Sequence, residues 1–152
     1  MSTPAGEFDA VLFKEHNSEQ VHLALVHGDI AHADVVPVRV HEPFSVLDLL
    51  DTHNTTHSIG LSKALQHIQA QGVGVAVLLN CQEHSTRLVE QFARLATPEH
   101  APAKTVSELR LYGIGAQILK DVGVKRMSLL GSPRKMPSMG GFDLEVTGFT
   151  QV

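Results

Sequence analysis

The sequence predicts a single α/β domain, mixed α+β, in which helices flank a mixed sheet. Three observations carry that prediction. The first third holds short segments of alternating or apolar residues separated by turn chemistry. The middle and the C-terminal half switch to apolar positions at helical spacing. Between them, residues 73–79 (Val-Gly-Val-Ala-Val-Leu-Leu) form the continuous apolar run expected of a central strand buried on both faces.

Residues 8–13 read as a first short strand, and residues 20–27 as a second that alternates and then turns apolar. Gly28-Asp29 supplies a turn. Residues 35–41 read as a third strand, in which Pro37 suggests an edge or a bulge. Strand, turn and strand in succession favour antiparallel pairing here. Phe44, Val46, Leu47, Leu49 and Leu50 suggest a short helix. Ser58 is a candidate cap for a longer one bearing Leu61, Leu65 and Ile68, with Gly72 suited to its left-handed end. Leu88, Phe92 and Leu95 mark another helix, and residues 97–104 read as loop. Thr105 and Glu108 form a T-x-x-E capping box opening the last major helix, which carries Ile114, Ile118 and Leu119 and can close at Gly123. A strand over 127–130, a loop over 131–141 and a closing strand over 142–149 complete the chain. With no internal repeat, low-complexity tract or boundary, residues 1–152 read as one domain.

The chain has 152 residues and a formal net charge of −4. That balance argues against a broad nucleic-acid surface; the local basic cluster is Arg134-Lys135. No apolar run has the length that crosses a bilayer, and the N-terminus lacks the pattern of a signal peptide, so neither a membrane nor export is expected. The single cysteine, Cys81, fits a reducing compartment, with the cytoplasm as the default. It also excludes a zinc site built from several thiolates. We read Cys81 as a part-buried bystander rather than a nucleophile. The chain has ten histidines, most of them isolated. His53 and His57 stand at i, i+4, but Asn54-Thr55-Thr56 between them is a poor helix former, so the pair reads as loop.

One stretch is more specific than periodicity requires. Residues 111–124, Leu-Tyr-Gly-Ile-Gly-Ala-Gln-Ile-Leu-Lys-Asp-Val-Gly-Val, continue into Leu129-Leu130-Gly131-Ser132-Pro133-Arg134-Lys135 and Gly141-Phe142-Asp143-Leu144-Glu145-Val146. Upstream lie His22-Leu23-Ala24-Leu25-Val26-His27-Gly28-Asp29, Val38-Arg39-Val40-His41, and Gly74-Val75-Ala76-Val77-Leu78 followed by Gln82-Glu83. Together and in this order they resemble GTP cyclohydrolase II, the zinc enzyme that opens GTP at the start of riboflavin synthesis. The resemblance implies the family's mixed α/β fold and a homodimer.

Departures from the family pattern are as informative. The family holds zinc through three cysteines, one after R-V-H and two in C-D-C-G. Here R-V-H runs into Glu42-Pro43-Phe44, and C-D-C-G corresponds to His57-Ser58-Ile59-Gly60. The resemblance therefore implies no metal and no cofactor, with neither the family's zinc nor its magnesium expected at that site. The Q-E-G-R-G-I-G loop becomes Gln82-Glu83-His84-Ser85-Thr86-Arg87, and T-N-N-P becomes Gly131-Ser132-Pro133. At the catalytic D-x-R stand Glu108-Leu109-Arg110, which makes Glu108 and Arg110 the positional counterparts of catalytic residues. Arg39, His41, Gln82, Glu83 and Lys135 fall at substrate-binding positions.

Arg39, Arg110 and Lys135 can be read as a residual phosphate pocket or as solvated surface charges. The expectation is a GTP cyclohydrolase II-like domain of riboflavin synthesis without ring-opening activity, serving as a dimerisation or regulatory module. The alternatives are an active GTP cyclohydrolase II or other nucleotide hydrolase, and a sensor that binds GTP or another phosphorylated small molecule. Family members are often fused behind 3,4-dihydroxy-2-butanone 4-phosphate synthase, so this chain reads as the C-terminal piece of such a fusion.

Overall fold

The computed structural model describes residues 1–41, 58–81, 89, 92–93, 107–135 and 138–152. An antiparallel pair, β1 (Ser2–Thr3) and β2 (Gly6–Glu7), precedes the main sheet. The sheet is built from β3 (Asp9–Lys14), β4 (Val21–His27), β5 (Val36–His41), β6 (Gly74–Leu78), β7 (Arg126–Leu130) and β8 (Glu145–Thr150). Among the described residues, the helices α1 (Leu61–Gln71) and α2 (Ser107–Asp121) pack on it.

The six strands lie in the order β3-β4-β6-β5-β7-β8. β3–β4 and β4–β6 are antiparallel, whereas β5–β6, β5–β7 and β7–β8 are parallel. All five residues of β6 are buried because it is covered on both faces. Ala76 and Leu78 pack with Leu61, Leu65 and Ile68 of α1. Val75 and Val77 pack with Leu111, Ala116, Ile118 and Leu119 of α2. A side chain as completely buried as Ile68 contributes about 1.5–3 kcal/mol of transfer free energy. Helices on opposite faces thus account for an apolar run without alternation.

Three local expectations are corrected. The second and third strands do not pair: β6 lies between β4 and β5. Covering both faces of β6 sets that order, which turn chemistry near residue 28 cannot report. Pro37 lies neither at an edge nor in a bulge, since β5 is interior and Pro37 faces Ser128 in regular register. The proline is tolerated because β5–β6 pairing begins one residue later, at Val38↔Val75, so no rung needs its missing N–H. Ser58 does not cap α1; the N-cap is Gly60, with no side-chain hydrogen bond. The other end is as expected, with Gly72 left-handed at φ 74° and its N–H donating to the carbonyl of Gln69.

The closing strand starts later than alternation suggests. Gly140–Phe142 form a 3-10 turn, and Asp143 is left-handed at φ 58° before β8 begins at Glu145. Lys120 Nζ donates to the Asp143 carboxylate at 2.7 Å, which ties that turn to α2. The short helix expected over 44–50, the loop over 97–104 and Thr105 of the capping box lie outside the described residues. Of the segment marked by Leu88, Phe92 and Leu95, the described Val89, Phe92 and Ala93 are helical, and Phe92 is exposed.

Candidate functional site

Arg39 and His41 alternate with Val38 and Val40 on β5, and parity puts both on the face covered by α1. Both are buried, with Arg39 6% exposed and His41 1%. A buried guanidinium needs acceptors, and Arg39 finds two backbone carbonyls. Nη1 donates to Leu130 O at 3.0 Å and Nη2 to Ile59 O at 2.7 Å. Its Nε has no hydrogen-bond partner among the described residues. Burial first, and then the nearby positive charge of Arg134, pull the Arg39 pKa down to about 10. The group is still cationic at neutral pH, where it meets another cation across a small cleft.

That cleft is lined by Arg39, Ser58, Gly131, Ser132 and Arg134, with Phe149 among its apolar walls. Its volume of about 20 Å³ admits a single water. Gly131 is at φ 157°, and a Cβ there would lie 3.0 Å from Ser58 Oγ and 3.4 Å from Arg39 Nη1. The glycine therefore keeps its loop close to the guanidinium. Arg134 also sits over the Tyr112 ring, 5.8 Å from its centroid, so a residue of α2 helps to place it.

The remaining basic candidates are not gathered here. Lys135 is exposed and does not line the cleft; its neighbour Arg134 does. Arg110, on α2, is ion-paired to Glu15 on the β3–β4 turn and is likewise absent from the lining. Of Arg39, Arg110 and Lys135, only Arg39 lines this cleft, where the second cation is Arg134. Gln82, Glu83 and the Glu108 side chain lie outside the described residues, as do Phe44, His53 and His57.

Ile59, which the resemblance aligns with a family ligand position, lies among the described residues. Its side chain is 5% exposed and packs in the apolar cluster with Leu61, Leu65 and Leu130. A hydrocarbon facing the core offers no donor, so the Ile59 side chain itself supplies no ligand to a metal. Among the described residues, no group of three His, Cys, Asp or Glu side chains is placed to hold a metal. Cys81 is half-buried; its Sγ donates to Leu78 O at 3.4 Å, and burial raises the thiol pKa, which disfavours a nucleophilic role.

A second polar cluster was not singled out from sequence. His22, 1% exposed on β4, places Nε2 3.2 Å from Glu15 Oε1, and its Nδ1 accepts the Asn80 N–H at 3.0 Å. Ser18 Oγ donates to the other Glu15 oxygen at 2.6 Å, and Arg110 bonds that oxygen too. These contacts, the Ser18 hydrogen bond foremost, hold the Glu15 carboxyl below its ordinary range. The available signal was a histidine at an inward position of an alternating strand.

A family model for GTP cyclohydrolase II matches residues 1–151. The chain belongs to the GTP cyclohydrolase II family. It is 40% identical over 151 residues to a 3,4-dihydroxy-2-butanone 4-phosphate synthase of Neisseria meningitidis serogroup B, covering 99% of this chain and 40% of that protein. It is 35% identical over 163 residues to the riboflavin biosynthesis protein RibBA of Bacillus cereus, covering 96% of this chain and 39% of the relative. Among solved structures it matches RibBX, a two-domain 3,4-dihydroxy-2-butanone 4-phosphate synthase from A. baumannii, with a TM-score of 0.64 and 32% identity. That match covers 99% of this chain and 38% of the RibBX chain. This GTP cyclohydrolase II-like chain therefore spans about two fifths of the length of these riboflavin-pathway relatives. No helix among its described residues is long and apolar enough to cross a membrane.

Proposed function

We propose that this chain is a GTP cyclohydrolase II-like module of riboflavin synthesis that does not open the ring of GTP. In this reading it serves a cytoplasmic protein as a dimerisation or regulatory element and accompanies a 3,4-dihydroxy-2-butanone 4-phosphate synthase. The observation that carries the loss of hydrolysis is Ile59, a core hydrocarbon at the position of a zinc thiolate, whose carbonyl is engaged by Arg39. Water activation by a metal requires donors that this position does not supply.

The same site supports binding of a phosphorylated small molecule. Arg39 and Arg134 repel one another in a partly dry cleft, and an anion between them would relieve that repulsion. Charge-assisted bonds from guanidinium to phosphate are strong and geometrically selective. The cleft is too small to enclose a nucleoside, which favours a phosphate group at its mouth. The bound anion would bridge the loop after β7 to β5 and so stiffen that side of the sheet.

Incubation with GTP, zinc and magnesium, following formate and ring-opened product, tests the reading. No turnover together with heat of binding for GTP or pyrophosphate is the expected result. Clear turnover would establish the alternative, an active GTP cyclohydrolase II. Absence of binding at millimolar ligand would remove the anion-responsive part and leave a dimerisation role, which sedimentation of the chain checks.

A further inference from the structure

The His22 ring reads one proton unambiguously, because a backbone N–H can only donate. Nδ1 accepts from Asn80 N at 3.0 Å, so it carries no proton. Nε2, facing Glu15 Oε1 at 3.2 Å, must then carry one. His22 is neutral in this arrangement, pinned between a carboxylate and an amide.

The two partners pull in opposite directions. The Glu15 carboxylate can only accept a hydrogen bond from the ring, whereas the Asn80 N–H can only donate one to it. A proton added at Nδ1 would point at the Asn80 N–H, and two donors cannot share that space. Asn80 is one of two non-glycine residues with positive φ among those described, at 55°. A left-handed backbone persists where its surroundings hold it, and asparagine tolerates it better than most. The His22 bond is part of that hold, next to the Cys81 N–H donating to Val21 O at 2.8 Å.

We propose that His22 is a proton-operated latch on the Asn80 turn, closed when the ring is neutral and released when it is protonated. The turn ends the central strand β6 and leads in sequence to Gln82-Glu83. Protonation thus couples the β3–β4 turn, through Glu15, to the exit of β6. Among the described residues, the charged groups joined to the ring are Glu15 of the β3–β4 turn and, through Glu15, Arg110 of α2. Arg110 restrains the latch by sharing the Glu15 charge. This inference is independent of whether GTP is bound or turned over.

Ring-nitrogen and amide NMR on the intact chain test it, from about pH 8 down to about pH 5, the range in which histidine changes charge. At the upper end the ring should show a proton on Nε2 and a bare Nδ1. On acidification the Asn80 amide should shift, and its protection against hydrogen exchange, taken relative to the base-catalysed intrinsic rate at each pH, should fall at least about tenfold with the midpoint of ring protonation. In Glu15→Gln the release should move to lower pH, since the neighbouring anion is gone. In His22→Asn, whose side-chain oxygen can accept the same N–H without titrating, the Asn80 amide should lose its pH dependence. A proton found on Nδ1 at the upper end would overturn the proposal. So would an Asn80 amide unmoved while the ring titrates, or a ring that stays neutral until the chain unfolds. Should His22→Asn not fold, the wild-type and Glu15→Gln titrations still decide the matter.

Discussion

Arg39 Nη1 donates to the Leu130 carbonyl at 3.0 Å, one step past the last backbone pair of β5 and β7, Val38↔Leu129. The side chain extends the ladder where the strands separate, and its second bond holds Ile59 ahead of α1. Arg39→Met should leave both carbonyls without their donor and cost about 2–4 kcal/mol. Arg39→Lys, which cannot span both acceptors, should lose less, about 1–2 kcal/mol. Urea denaturation measures both, and a methionine variant as stable as wild type would show that the carbonyls find other donors.

Arg134 contributes to the cleft without being buried in it. Arg134→Ala should change intrinsic stability by no more than about 1 kcal/mol, the scale of an exposed cation–π contact offset by reduced repulsion on Arg39. Pyrophosphate should raise the melting temperature of wild type and fail to do so in the variant. An equal rise in both would place the anion elsewhere.

The Glu15 carboxyl lies below its ordinary 4.5 in the folded chain. Its contribution to stability is therefore complete above about pH 4.5 and is lost as pH falls through the lower folded value. Glu15→Gln should start less stable at neutral pH and lose less on acidification, giving a flatter acid limb. Parallel acid limbs in denaturant titrations would argue against a folded-state role for this carboxylate.

Gly28, left-handed at φ 72°, brings the turn after β4 against the end of α1. A Cβ there would run into the carbonyl oxygen of Gly72 and lie 3.0 Å from the Cα of Val73. Gly28→Ala should destabilise by about 2–4 kcal/mol, read as a lower urea midpoint, because the obstacle is backbone and the φ is unsuited to a side chain.

Two apolar truncations should separate core from surface. Ile68, fully buried between α1 and the sheet, should cost about 2–5 kcal/mol as Ile68→Ala. Leu12, 68% exposed on the edge strand β3, should change stability by no more than about 0.5 kcal/mol as Leu12→Ser. A large loss at Leu12 in equilibrium unfolding would reveal that this edge is covered in solution.

The sequence by itself determined the class of fold, the place of most strands and the family. An unbroken apolar run can be satisfied only between two covered faces, and β6 is so placed. The match from Leu111 to Val124, with Gly123 closing α2, is too particular to arise from periodicity. Sequence also showed a single cysteine, Cys81, so this chain alone cannot supply several thiolates to one metal, because ligand chemistry depends on residue type before geometry. Strand order was left to the tertiary structure, since β6 reaches its place between β4 and β5 through contacts distant along the chain. The partners of the cations were decided there as well. Arg39, Arg110 and Lys135 look alike as three cations in a string, but only folding shows Arg39 committed to two carbonyls and Arg110 drawn to Glu15. Arg134, and not its neighbour Lys135, lines the cleft beside Arg39. Which cation meets which partner follows from burial and distance, and those are properties of the packed chain.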